Sequence, residues 1–524
     1  MICINELPPE VRMKNILLGG LWFGKCHPPM NLLLKPLRIN PLNMRAYITG
    51  CCVDSGARGL VQGVKSHGGY YACNWCSIRG EYVGGAVKYP MSDNYPPKRT
   101  HDEILQLVNR LFPDDEELSD DERPEGDEEY LGVQDASPLI NVPFFDMVSG
   151  FFVDPMHLLH LGITKTHLLK WLQEPGDFNI SESKDEIDKR LASLRPPLEF
   201  RRMPRELMEK VRYKARELDN LLTCVIIPIL TGILPQKYLK LWLILAQAVY
   251  LLSQAVVTQS HVNTADVLLK YFVCVSQQYY GEVCMVFNMH ILTHLAEHVA
   301  RWGPLWATSA YCFENFNGFL LKIIRSQNGI PNQVVRALSW RQSLQTLEPH
   351  VSEKARQYLR SLPKQRKTGT EVDGCLLLGN PSLFSPTDEE KWFCDRLRCN
   401  VDSCEEYPKL IRNRCVFSIP HRHSKNNNSV AQLNNNSIVQ IRKIVYDRQQ
   451  EKVFVFASKV LTEAILNLPP GVRLDLSDHC MRKVTHVEEE VCCLRSTDLK
   501  IICFFCEFQH GNFVAPLANV CNVF

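Results

Sequence analysis

The sequence predicts a mixed α/β protein with a mixed N-terminal part, a large all-helical middle and a small β-rich C-terminal domain. Three observations carry this. Ala46–Asp54, "AYITGCCVD", is a short apolar run rich in β-formers, as a buried strand requires. From about Asp154 to Arg360 the apolar residues recur at helical spacing almost throughout. Near the end, "SIVQIRKIVYD" and "KVFVFASKVL" flank a polar "RQQE" and read as a hairpin.

The chain has 524 residues, enough for several domains, with 45% hydrophobic and 22% charged residues, the balance of an ordinary globular protein. A net charge of +2 identifies no partner, so any charge signal must be local. The 21 cysteines are scattered through apolar runs and no signal-peptide pattern opens the chain. Reduced intracellular thiols are therefore expected rather than a disulfide framework. The most apolar stretch, Leu239–Val257, is interrupted by Lys240 and by Gln and Ser residues. It is expected to be a buried helix, with no membrane partner.

In chain order, residues 1–110 form the α/β part, with "DSGARG" after Asp54 expected to be a turn. Eleven of the sixteen residues from Asp114 to Glu129 are acidic, so 111–135 is expected to be a solvated, disordered loop. Residues 136–283 are helical, opened by the acid and proline of "DPMHLLHLGITKTHLLKWL". Within them Arg201–Arg216 carries seven basic residues against two acidic ones. As a helix it could lie along a phosphate backbone through Arg201, Arg202, Arg205, Lys210, Arg212 and Lys214, although a merely solvated face explains it as well. Further helices are expected over Val262–Gln278, Val283–Ala300 and Ala307–Ile324, the last two within residues 284–361. Residues 362–437, with "LPKQRKTGT" and two Asn-rich tracts, read as linker, and 438–524 as the β-rich domain.

The chemistry-bearing motif is Cys73-x-x-Cys76. Two thiolates are half of a structural zinc site, and no second Cys-x-x-Cys follows at short spacing. Candidates for the missing half are His290 and His294, four apart and so on one helical face. His298 extends the stripe, leaving His294 and His298 as the alternative pair. "HILTH" is no metalloprotease motif, because Ile291 stands where the glutamate base would be. Such a zinc would join distant parts of the chain and draw Asp54, just before the cysteines, towards Glu314, just after the histidines. Gathered carboxylates are what two-metal phosphoryl transfer needs, with Mg²⁺ ions about 3.5–4 Å apart. The Cys503/Cys506 pair is expected to be inert, and Trp75, Trp302 and Trp306 to be core residues.

"VDSGARGLVQGVKSHGGYYACNWC", "FFVDPMHLLHLGITK", "HILTHLAEHV" and "FENFNGFLLKII" together resemble the CACTA (EnSpm) type of DDE transposase. "INELPPEVRMKNILLGGLWFGKCHPPMNLLLKPL" is similar to that family's link between its first two catalytic strands. The resemblance covers roughly residues 1–345. It implies an RNase H-like core interrupted by a large helical insertion and returning over 284–361. It places the family's second aspartate on Asp54 and its glutamate on Glu314, both as Mg²⁺ ligands. The structural Zn²⁺ falls on Cys73, Cys76, His290 and His294. The Asp-x-x-His motif falls on Asp154 and His157, near the active site or as an anchor of the insertion. It further implies DNA (transposon ends) and a second protomer as partners, and a nuclear location.

One departure matters. No Asp precedes Asp54, so the first catalytic acid is missing and the RNase H-like core is expected to be incomplete. The chain reads as N-terminally truncated and is expected to be inactive in DNA cleavage unless that part lies upstream. The competing readings are a domesticated or decayed zinc-containing DNA-binding protein and a zinc-stabilised protein-interaction scaffold. Salt-dependent DNA binding separates them.

Overall fold

The computed structural model describes residues 1–3, 16–18, 48–92, 95–112, 130–203, 205–206, 213–347, 350–361, 369–421 and 424–519. The acidic run 114–129 lies outside them, as do Lys210 and Arg212. The architecture is mixed α/β, helical in the middle and β-rich towards the C-terminus. The chain forms two compact units, one of residues 1–310, 462–485 and 504–524, the other of 311–461 and 486–503. These boundaries differ from the expected ones. The expected β-rich domain, 438–524, is shared between the two units.

In the first unit, strand β1 (Cys51–Cys52) pairs in parallel with β4 (Phe151–Phe152). The "DSGARG" segment is not a turn. Asp54 caps helix α1 (Ser55–Gln62), its carboxylate accepting from Ala57 N–H at 2.7 Å, and Gly63 ends it in the left-handed region at φ 75°. Of the glycines in that segment Gly59 gives clearance, since a Cβ there would stand 3.0 Å from the Val64 carbonyl oxygen, and just beyond it a Cβ on Gly63 would stand 2.1 Å from that of Asp135. A small hairpin follows, β2 (Glu81–Val83) and β3 (Ala86–Lys88). Helix α2 (His101–Leu111) begins with a capping box of Thr100 and Glu103.

Beyond β4 a π-wound segment, Met156–Thr164, runs into α3 (Lys165–Gln173), followed by α4 (Lys184–Ser193). Helix α5 (Ala215–Asn220) continues through a second π-wound turn, Leu221–Val225, into α6 (Ile226–Leu230). The core is built on α7 (Gln236–Leu252), α8 (Gln259–Tyr280) and α9 (Phe287–Trp302), with α8 packed on both others. Apolar side chains bury α7 from Leu241 to Leu252, so the Leu239–Val257 run is a core helix as far as Leu252, beyond which the chain leaves the helix and Val256 is exposed. Within that span Gln247 is fully buried and satisfied at both ends, donating to the Asp478 carbonyl (2.7 Å) and accepting from Cys480 N–H (2.9 Å). Among the described residues no helix is long and apolar enough to cross a membrane.

The second unit opens with α10 (Tyr311–Ile323), α11 (Ile330–Leu347) and α12 (Glu353–Ser361). The expected linker is folded over its described part. It holds β5 (Gly369–Val372), β6 (Cys375–Leu378), β7 (Ser382–Leu383), α13 (Asp388–Arg396), β8 (Cys404–Glu406), β9 (Lys409–Arg412), β10 (Cys415–Ser418) and β11 (Val430–Leu433). Strands β10, β9, β6 and β5 form an antiparallel sheet. The Asn tracts are turns, not spacers: Asn435 accepts from Ser437 N–H (3.0 Å) and Asn436 adopts φ 67°, closing the turn from β11 into β12 (Ile438–Asp447). Strands β12 and β13 (Lys452–Ala464) form the expected hairpin, from the Asp447–Lys452 pair to Ile438–Val460. Of the remaining strands, β14 (Arg482–Arg495) and β15 (Leu499–Phe508) are divided by residue range between the two units, and β16 (Gly511–Pro516) belongs to the first.

Candidate metal centre

Four side chains separated by more than two hundred residues meet in the first unit. Cys73 and Cys76 lie in the loop between α1 and β2, and His290 and His294 on successive turns of α9. That loop is held rigidly. Arg99, itself buried, donates to the Cys76 carbonyl (3.1 Å) and to those of Tyr71 (3.3 Å) and Leu131 (2.5 Å). Tyr89 N–H donates to the Met285 carbonyl (2.7 Å), fastening the β3 end to the approach to α9, and the Tyr89 hydroxyl donates to the Gly69 carbonyl.

The spacings have a chemical meaning. The two sulfurs are 3.6 Å apart, Cys73 Sγ is 3.5 Å from His294 Nε2, Cys76 Sγ is 3.3 Å from His290 Nε2, and the two Nε2 atoms are 3.2 Å apart. Bonds of about 2.3 Å to sulfur and 2.0–2.1 Å to nitrogen in a tetrahedron give edges of about 3.8 Å (S–S), 3.6 Å (S–N) and 3.3 Å (N–N). The observed edges fall within a few tenths of an ångström of these. The sulfurs are far too distant for a disulfide. All four residues are buried, none more than 4% exposed. They could hold a metal such as zinc, and as a closed set of four they leave no position for a substrate or a reactive water.

The surroundings fix the rings. Tyr89 stacks on His290 at 5.7 Å and Trp75 on His294 at 6.0 Å. The buried Arg58 guanidinium lies 5.0 Å from the rings of both Trp75 and Phe287. Burial lowers Arg58 to about 10, against the pull of Cys73 and Asp54. With protein groups alone the thiols are unequal. Burial works against ionising Cys73, but the hydrogen bond from Cys76 and the two histidines outweigh it and hold it well below the usual thiol range. Cys76, donating that bond and buried beside the charge, is pushed up. A coordinated cation reverses this for Cys76, since a ligating thiol is deprotonated.

His298 stands outside the group. Its Nε2 lies 3.1 Å from Thr308 Oγ1, its ring meets Phe152 edge-on at 5.9 Å, and burial lowers it to about 4. The pair brought to the cysteines is therefore His290 and His294. Asp54, exposed, caps α1 in the first unit, and Glu314, exposed, lies in the first turn of α10 in the second.

Asp154 holds a structural post that sequence reasoning leaves undefined. Asp54 and Asp154 each stand two residues beyond the last paired position of their parallel strands. The buried Asp154 carboxylate accepts from Met156 N–H (3.1 Å), His157 N–H (3.2 Å) and Ala310 N–H (2.8 Å), and engages His157 Nδ1. It thus caps the π-wound segment and ties it to the end of the first unit. No sequence signal announces the Ala310 contact.

The basic stretch is not one helix. Among its described residues, Arg201 and Arg202 lie in an exposed bend, and Lys214 immediately precedes α5, which starts at Ala215. Arg205 pairs with the nearly buried Glu217 at 2.8 Å, and Glu217 also accepts from Lys214 N–H at 2.7 Å. Partial loss of water around its head, with Arg216 nearby, lowers the exposed Arg201. The expected core tryptophans are anchored: Trp302 donates to the Ser149 carbonyl (2.8 Å) and Trp306 to that of Gln254 (3.2 Å). No protein-family model and no curated protein matches the chain.

Proposed function

We propose that the chain is a transposase-derived DNA-binding protein of the DDE lineage, with an RNase H-like core braced by one structural Zn²⁺ on Cys73, Cys76, His290 and His294. The observation that carries this reading is the near-tetrahedral spacing of those four ligand atoms. They are the same four residues that the resemblance assigns to the metal. The composition of the set, two thiolates and two imidazoles, suits Zn²⁺ over harder cations such as Mg²⁺. The role proposed is binding; Asp54 caps α1 through Oδ1 and Asp154 engages His157. In an active relative Asp54 and Glu314 would hold Mg²⁺, which supplies charge stabilisation for phosphoryl transfer. DNA, a second copy of the chain and a nuclear setting belong to the same reading.

The test is fluorescence anisotropy of a labelled duplex titrated with zinc-loaded protein at rising salt. Binding through phosphates makes log K fall linearly with log salt concentration, with a slope near 0.9 per phosphate contacted. A lack of binding at low salt would favour the protein-interaction scaffold instead.

A further inference from the structure

A second group of metal-ligand side chains meets in the second unit, independently of the first. Cys399 follows α13, Cys404 opens β8, and Asp447 ends β12 at the hairpin turn. Cys399 Sγ lies 3.2 Å from Cys404 Sγ and donates to Asp447 Oδ2 at 3.1 Å. Cys404 and Asp447 are buried, and Cys399 is half-buried. From these residues we propose a second metal centre, in which Cys399, Cys404 and Asp447 bind a thiophilic divalent cation, Zn²⁺ by its ligand preference.

Three independent features point the same way. The first is charge. Asp447 is wholly buried, and besides Cys399 it accepts from Ser403 Oγ (3.0 Å), Gln449 N–H (2.9 Å) and Gln450 N–H (3.3 Å). Every one of these donors is neutral, so a buried carboxylate is hydrogen-bonded without its charge being balanced. A divalent cation would stand directly against this carboxylate, and the two thiols beside it are the ligands a soft cation prefers; with both thiol protons released the group keeps its net charge of −1.

The second is how the loop is held. Arg398, just before Cys399, adopts φ 55°, unfavourable for a residue with a Cβ. Asn400 caps the short turn Val401–Ser403 by accepting from Asp402 N–H at 3.1 Å. Gln450 Nε2 donates to the carbonyls of Leu397 (3.2 Å) and Arg398 (2.9 Å), so the hairpin turn that carries Asp447 grips the loop that carries Cys399. The strained residue is thereby clamped where it turns Cys399 back towards Cys404.

The third is the available coordination. Three ligands leave one tetrahedral position. That position is left for water, and the half-buried Cys399 gives an ion a way in, while Cys399 N–H donates to the Cys394 carbonyl at 2.8 Å. Zinc would set the S–S edge near 3.8 Å and the S–O edge near 3.6 Å, so the group opens by about half an ångström on binding. Both thiols release their protons to solvent as the two sulfur–metal bonds form, and the carboxylate enters already ionised. Burial disfavours that ionisation, but the bonds from Cys399, Ser403 and the two backbone N–H groups hold Asp447 below the usual carboxyl range.

The experiment is metal counting on the full chain. Protein purified under reducing conditions is loaded with Zn²⁺, dialysed and analysed for metal per chain, alongside Cys399→Ser/Cys404→Ser and Cys73→Ser/Cys76→Ser. The expected counts are two for the parent and one for each double variant, with the two losses adding when combined. A parent count unchanged by Cys399→Ser/Cys404→Ser overturns the proposal, whatever happens at Cys73 and Cys76. Because the double variant could disturb folding, Co²⁺ titration of the unaltered chain and of Asp447→Asn serves as a second readout. The unaltered chain should take a second equivalent with thiolate-to-cobalt charge-transfer absorption, and Asp447→Asn should weaken that equivalent at least tenfold while leaving the first intact. A single equivalent in the parent, or a Cys399–Cys404 disulfide in the reduced preparation, also overturns it.

Discussion

Cys76 and His290 are 214 positions apart in the chain, yet Cys76 Sγ lies 3.3 Å from His290 Nε2. That contact closes a loop comprising nearly all of the helical part of the first unit, so a metal bond there constrains far more chain than one in a small finger. Replacing Cys73 or Cys76 by Ser should remove one Zn²⁺ per chain and lower the unfolding temperature. Structural zinc contributes on the order of 10 kcal/mol in isolated fingers. Even a third of that, at roughly 2–4 °C per kcal/mol in the larger domains, is a shift of about 6–13 °C. Scanning calorimetry with and without a chelator measures it, and an unchanged transition would remove the centre from the stability argument.

His167 makes the first unit acid-sensitive. It is buried among Trp171, Trp242, Phe272 and Tyr280, its Nδ1 3.0 Å from the Ile163 carbonyl oxygen. Burial lowers it to about 4, against an ordinary value near 6.5. As pH falls, the unfolded chain takes up this proton first. The contribution is therefore complete above pH 6.5 and is lost between 6.5 and 4, amounting to about 3 kcal/mol. His167→Phe should flatten denaturant stability over that window relative to the parent. The comparison cancels metal loss common to both proteins.

The two aspartates beyond the paired strands should behave oppositely. Asp154→Ala strands the Ala310 and Met156 N–H donors and should cost about 2–4 kcal/mol. Asp54→Asn keeps a residue equally good at capping and should stay within about 0.5 kcal/mol, with zinc content unchanged. Chemical denaturation and metal analysis of the pair check both statements, and zinc loss in Asp54→Asn would mean that the cap and the centre are coupled.

Arg205 separates structure from DNA contact. Arg201→Gln with Arg202→Gln should leave stability alone and reduce the salt slope of DNA binding by about 2. Arg205→Gln should instead destabilise the fold, because Glu217 loses its ion pair in a nearly buried position. An unchanged slope in the first double variant would place the DNA interface elsewhere.

The centre was legible because its halves have local signatures, Cys-x-x-Cys and a four-residue histidine interval. The choice of His290 and His294 over His294 and His298 depends on Thr308, which takes up His298. The α1 helix was obscured by its glycines, since composition cannot tell a glycine that turns the chain from one that clears a carbonyl. The folded part of 369–437 was hidden because its strands are short and Asn435–Ser437 looks like spacer while forming a turn. The trio of Cys399, Cys404 and Asp447 has no spacing signature, because Asp447 arrives through strand pairing.

Gly162 is a gauge of clearance. A Cβ there would stand 2.6 Å from Asn288 Nδ2 and 2.7 Å from the His157 carbonyl oxygen. The π-wound segment thus passes the Asn288 side chain, two residues before His290, with room for a single hydrogen atom. A methyl there would turn that side chain aside and press on the segment's own His157 carbonyl, so the smallest of residues sets how near this segment runs to the helix that carries the two histidines.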